Sequence, residues 1–206
     1  MRTDHLTLDD ILDARAYERV RDDFRRRVMA RKRLRRIPAG EIMTLVFESV
    51  DTVRFQIQEM ARVEKILTDE GIQGELDVYN RLLPTPGELS ATLFIELTSE
   101  ADLRHWLPRL VGVEGAVGLE LADGAVVGSV AETSHAEALT RESVTPAVHY
   151  LRFLFTADQV ERFATGGPVA VVVRHPAYEA RTVLSEESRA ELLGDLQGRT
   201  VPLALE

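Results

Sequence analysis

The chain contains no cysteine. That absence excludes disulfides, thiolate catalysis, Cys-ligated zinc and protein-held iron–sulfur clusters. No apolar run approaches the roughly 18 to 20 residues that a membrane-spanning helix needs. The opening MRTDHLTLDD is acidic and lacks the apolar stretch of a secretory signal. Together these absences predict a cytoplasmic protein that engages no membrane. Motifs are equally scarce. There is no GxGxxG after a strand, no Walker A loop, no HExxH and no GxSxG elbow. Glu132 and His135 have an ExxH spacing, and Asp102 and His105 a similar one. A di-iron bundle needs two Glu-x-x-His pairs and two further Glu on four long helices. Metal ligands and cofactor therefore stay unknown at this level.

What is present is globular. The 206 residues are 45% hydrophobic and 29% charged, enough to bury a sizeable core. The net charge of −9 is unevenly spread. Residues 1–40 hold 12 Lys and Arg against 7 Asp and Glu, whereas 41–206 hold 13 against 27. The chain reads as one compact domain with a basic helical N-terminal segment (1–40) and an acidic body (41–206). Such a segment can hold a partner protein, a second copy of the chain, or its own body.

Periodicity places helices at 16–36, from Asp51 or Thr52 to about Asp69, and at 75–83, 100–112, 157–166 and 185–196. Gly71 and Gly74 are expected to separate the second and third. Strands are expected at 41–49, 89–98, 146–156, 168–175 and 178–184. A hairpin is expected to turn at Asp123-Gly124 in a type I′ geometry. Segment 131–143 reads as loop or short helix. Helical elements come first, then strands mixed with helices. The expected class is α+β, a mostly antiparallel sheet with an N-terminal helical layer and further packed helices.

The stretch TVRFQIQEMARVEKIL (52–67) carries the main functional lead. At about 100° per residue, Val53, Ile57, Met60, Glu64 and Leu67 share one stripe. Phe55, Glu59, Arg62 and Ile66 share a nearly opposite one, and Arg54, Gln58 and Lys65 face solvent. A helix buried on two sides would carry Glu64 and Glu59 inward, and a buried carboxylate must be paired, hydrogen-bonded, protonated or metal-bound. Structural pairing with Arg is the default reading. Other polar residues sit in apolar company: Tyr79 and Asn80, Glu96, His149 and Arg152. With Arg54, Glu59 and Glu64 they form the candidate polar site, if they converge. In the basic helix, RRRVMARKRLRR places eight cations between Arg25 and Arg36. Arg27, Arg31 and Arg35 are the candidate partner-binding residues. Nucleic acid is disfavoured, because no aromatic follows Phe24 within the run and the body is acidic.

Several stretches together resemble the bacterial domain of unknown function 3501 family: MTLVFESVDTVRFQIQEMARVEKI, ELDVYNRLLPTPGELSATLFIEL, VHYLRF and HPAYEA, with the C-terminal SRAELLGDL. The resemblance implies a soluble bacterial protein with no established activity. It also implies an association with redox or peroxide-stress proteins, rubrerythrin-like or iron–sulfur in kind. The family's motif residues fall here on Arg54, Gln56, Gln58, Glu59, Glu64, Tyr79, Asn80, Glu96, His149, Arg152 and His175, with no agreed role for any. No motif matches in GAVGLELADGAVVGSVAETSHAEAL. The sequence thus supports first a non-enzymatic accessory or binding protein. A small-molecule or metal-binding enzyme with a buried carboxylate, His and Tyr site is the alternative, and a nucleic-acid binder through the basic helix the second.

Overall fold

Each α-helix among the described residues starts where a short polar side chain satisfies one of its first free N–H groups. A computed structural model describes residues 5–132 and 144–205. Asp13 caps α1 (Ala14–Arg35), accepting from Ala16 N. Ser49 caps α2 (Val50–Glu64) in a capping box with Thr52. Thr68 caps α3 (Asp69–Tyr79) and Ser99 caps α4 (Glu100–Trp106). Thr156 caps α5 (Ala157–Thr165) and Ser185 caps α6 (Glu186–Leu196).

The strands are β1 (Arg36–Pro38), β2 (Met43–Phe47), β3 (Glu88–Ile95), β4 (Val117–Glu120), β5 (Val126–Ala131), β6 (Val148–Leu154), β7 (Ala170–His175) and β8 (Tyr178–Val183). They form one sheet in the order β1-β2-β3-β6-β5-β4-β7-β8, with every pairing antiparallel. The fold is α+β, as the sequence predicts. Alternation sorts each strand's residues between two faces. Leu45, Phe47, Leu93 and Phe153 share one core with Leu119 and Val171 from the far half of the sheet. Phe163 of α5 and Leu192 of α6 close it.

The opposite face of β2, β3 and β6 is partly polar. It carries Thr44, Val46, Thr92, Phe94, Val148 and Tyr150, in direct register across the three strands. A second apolar cluster covers part of this face with Val50, Val53 and Ile57 of α2 and Leu76 of α3.

Three expectations need correction. The second helix starts at Val50, earlier than expected, because Ser49 rather than Asp51 or Thr52 caps it. It ends at Glu64, where Lys65 turns left-handed (φ 57°). Gly71 and Gly74 do not break a helix but lie within α3. A side chain at 71 would meet Ile66 Cγ2 at 2.4 Å, so glycine there permits close packing of α3 on the preceding turn. Between β4 and β5 only Gly124 has positive φ. A type I′ turn needs it at both central residues, so the loop takes another form, with Gly124 N donating to Leu121 O.

Candidate functional site

The uncovered part of the polar sheet face forms a cavity of about 280 Å³. Its floor is Val46, Thr92, Phe94, Val148 and Tyr150 from the three strands. Its walls come from Lys32 of α1, Glu48 at the junction of β2 and α2, Gln56 of α2, and Tyr79 at the end of α3. The volume lies just below the roughly 300 Å³ at which small-ligand clefts usually begin.

Glu48 contributes the carboxylate of this cavity. Thr52 Oγ1 lies 2.5 Å from one carboxylate oxygen and Thr92 Oγ1 lies 2.6 Å from the other. Thr52 Oγ1 is itself held by Ser49 N at 2.8 Å. The helix cap therefore also orients the carboxylate. Each carboxylate oxygen can accept about two hydrogen bonds, so acceptor capacity remains beyond these hydroxyls. Burial raises the pKa of the Tyr150 phenol above its ordinary value, with Tyr79 and Glu48 adding to the effect. The phenol therefore stays protonated at neutral pH and presents a hydroxyl rather than a charge.

The residues predicted from sequence do not converge. Of the candidate polar site only Tyr79 reaches this cavity, beside Gln56 of the family's motif residues. Glu64 is exposed at the last turn of α2, contrary to the inward position expected for it. The stripe that carries Val53 and Ile57 into the core runs out of protein before it reaches Glu64. Glu59 does face a neighbour, α1. Arg21 grips it at 2.7 and 2.8 Å and Tyr17 Oη donates at 2.8 Å. Arg21's hydrogen bond, aided by Tyr17's, holds its carboxyl below the ordinary range. Arg54 and Gln58, expected in solvent, are buried. Arg54 pairs with Asp51, donates to Leu203 O and lies over the Phe24 ring. Gln58 exchanges hydrogen bonds with the backbone of Leu12. Residues distant in sequence cover this side of α2, so no local window could have placed it.

The remaining candidates are similarly engaged. Asn80 clasps Leu6 N and Leu6 O. Glu96 accepts from Thr44 Oγ1 at 2.6 Å and pairs with Arg36 at the sheet edge. Arg152 pairs with Glu88 and with Glu132, the latter at 3.2 Å. His149 lies on the opposite sheet face, with Thr145 Oγ1 at 3.1 Å and Glu114 at 3.8 Å. Burial lowers its pKa. His175 Nε2 meets Val111 O at 3.1 Å and its Nδ1 accepts from Ala177 N, a turn-closing role. His135 lies outside the described residues. Among the described residues no three His, Asp or Glu gather as metal ligands would.

The expected partner-binding cations point into the protein itself. Arg35 is fully buried and pairs with Asp195 at 2.7 Å and Glu191 at 2.8 Å. Burial opposes its charge, but Asp195 and Glu191 outweigh that and raise its pKa. Arg31 pairs with Asp51 and donates to Val201 O. Arg27 pairs with Asp23 and donates to Ala204 O. The basic helix is therefore docked on α2, α6 and the C-terminal stretch. Arg31 and Arg35 are not an open interface.

Glu48, Lys32 and Tyr150 are the cavity residues that the sequence did not single out. The available signal for Glu48 was its place between a buried strand and a Ser cap, within the FES step that the family resemblance includes. A second groove, about 200 Å³, lies between the N-terminal segment, α1 and α2. Leu8, Ile11, Leu12, Ile66 and Ile72 line it, and its Gln58 and Asp13 already serve the backbone. It offers little polar chemistry.

Comparison with known proteins agrees with this architecture. A crystal structure at 1.90 Å of a novel protein of unknown function from Burkholderia pseudomallei K96243 is similar, with a TM-score of 0.84 and 38% sequence identity. The similarity covers 93% of this chain and 98% of that one. No curated protein matches the sequence. No helix among the described residues is long and apolar enough to cross a membrane. The family described as "Protein of unknown function (DUF3501)" matches residues 5–196. The chain belongs to that family.

Proposed function

We propose that this protein is a small-molecule-binding protein whose ligand sits between the polar face of β2, β3 and β6 and the helices α1 and α2. One observation carries the reading. A carboxylate, an ammonium, an amide and two phenols line one cavity, and the carboxylate is already oriented by two threonines. Polar groups that serve only the fold are elsewhere consumed by partners, as at Arg35 and Asp195. An accessory role follows naturally, since binding needs no reacting group beyond these. The redox or peroxide-stress setting, with a rubrerythrin-like or iron–sulfur partner, rests on the family resemblance alone. Such a partner would have to meet the outward cations Arg19, Arg25 and Arg33, which are exposed.

The test is a ligand-observed NMR screen of small polar and aromatic compounds against the protein and a Gln56→Trp variant. Gln56 is exposed at the cavity wall, so the indole should fill the space without unfolding the domain. Compounds that bind the parent should lose affinity in a variant of unchanged melting temperature. Hits that bind both proteins equally would place the ligand elsewhere and overturn the reading.

A further inference from the structure

The charges around the cavity define a ligand class. Glu48 and Lys32 line the same space, and among the described residues no ion pair joins Lys32 to any carboxylate. This departs from the face of α1 that docks on the body. There Arg21, Arg31 and Arg35 all find carboxylates within about 3 Å. Lys32 is half-buried at the cavity wall.

The Glu48 carboxylate suits a cation. Its carboxylate is fixed by Thr52 and Thr92 yet keeps acceptor capacity. Phe94, Tyr79 and Tyr150 supply aromatic surface beside it. Ring faces attract cations by about 0.5 to 2 kcal/mol when water is displaced. The upward pull of Glu48 on the Tyr150 phenol agrees with a negative potential there. The Lys32 ammonium suits an anion, and Gln56 adds an amide that can donate or accept.

We infer that the ligand is a compact zwitterion carrying an alkylammonium and a carboxylate, an amino acid or a betaine. Its ammonium sits against Glu48 and the aromatic side chains, and its carboxylate against Lys32. A bipolar cavity rejects ions of a single sign, because each would leave one protein charge desolvated and unpaired. This inference rests on the small-molecule reading above and sharpens it.

Two matched pairs of probes test it, read by protein-observed NMR on the full chain. Glycine betaine is paired with tert-butylacetate, in which carbon replaces the charged nitrogen. Leucine is paired with isocaproate, which lacks the ammonium. The expected result is saturable shifts with glycine betaine or leucine, at least about tenfold tighter than with the matched carboxylate. Binding of betaine alone assigns a methylated ammonium, and binding of leucine alone a primary one. Glu48→Gln should weaken the zwitterion about tenfold. Lys32→Met, on a helix surface and harmless to folding, should weaken it severalfold and cover the case in which the Glu48 variant is unstable. If tert-butylacetate or isocaproate binds as tightly as its zwitterion, the ligand class is wrong while the pocket stands. The same holds if only uncharged aromatic compounds shift the cavity residues. If nothing shifts them, the pocket reading falls as well.

Discussion

The charged groups on the two sides of α2 are used differently. On the side facing α1 and the C-terminal stretch, Asp51, Arg54, Arg31 and Glu59 are closed into pairs with neighbouring side chains and backbone carbonyls. On the side facing the sheet, Glu48 is oriented by two hydroxyls and Lys32 lines the same cavity, and among the described residues neither joins an ion pair. Buried charge alone therefore does not mark a site in this molecule. Charge that the fold orients without neutralising does. The closed side explains how a strongly basic helix sits on an acidic body: α1 is neutralised where it docks.

The largest expected effect breaks the closed side. Arg35→Met leaves the buried Asp195 with the Thr200 hydroxyl but no guanidinium, and Glu191 with Arg31 alone. Removing one partner of a buried pair costs about 3–5 kcal/mol. Urea unfolding should show that loss. A change below about 1 kcal/mol would mean that water reaches the pair and the side is not closed.

A smaller effect probes the pocket. Thr92→Val removes the hydroxyl that holds one oxygen of Glu48. Stability should fall by about 1 kcal/mol, while probe affinity falls further, because the carboxylate loses its orientation. An unchanged affinity would show that Glu48 does not need this hydroxyl to bind.

The smallest effect concerns Glu64. Because it is exposed, Glu64→Gln should shift stability by no more than about 0.5 kcal/mol and leave probe binding intact. A larger loss by thermal melting would restore the inward position that helical periodicity suggested.

That contrast between Glu64 and Glu48 shows what the sequence could convey. The antiparallel α+β fold was legible because β3, β6 and β7 carry strong β patterns and the α-helices begin at Asp, Ser or Thr caps. The stripe containing Phe55 and Glu59 was also legible, since it depends only on local periodicity and meets α1 at Phe24 and Tyr17. Glu64 was misplaced because a helical wheel gives direction but not where the covering elements stop. Arg54 was misplaced for the converse reason: Leu203, far along the chain, covers it. Glu48 could not be found locally. Its environment exists only once β3 and β6 lie beside β2 and bring Thr92 and Tyr150 to the same face.

The most direct test of this account is a chemical-shift map of the protein with the zwitterion and aromatic probes. We expect perturbations centred on Glu48, Thr92 and Tyr150, with the amides around Arg35, Glu191 and Asp195 unmoved. Perturbations centred on the Arg35 side, or on neither side, would contradict the assignment of function to the unneutralised face of α2.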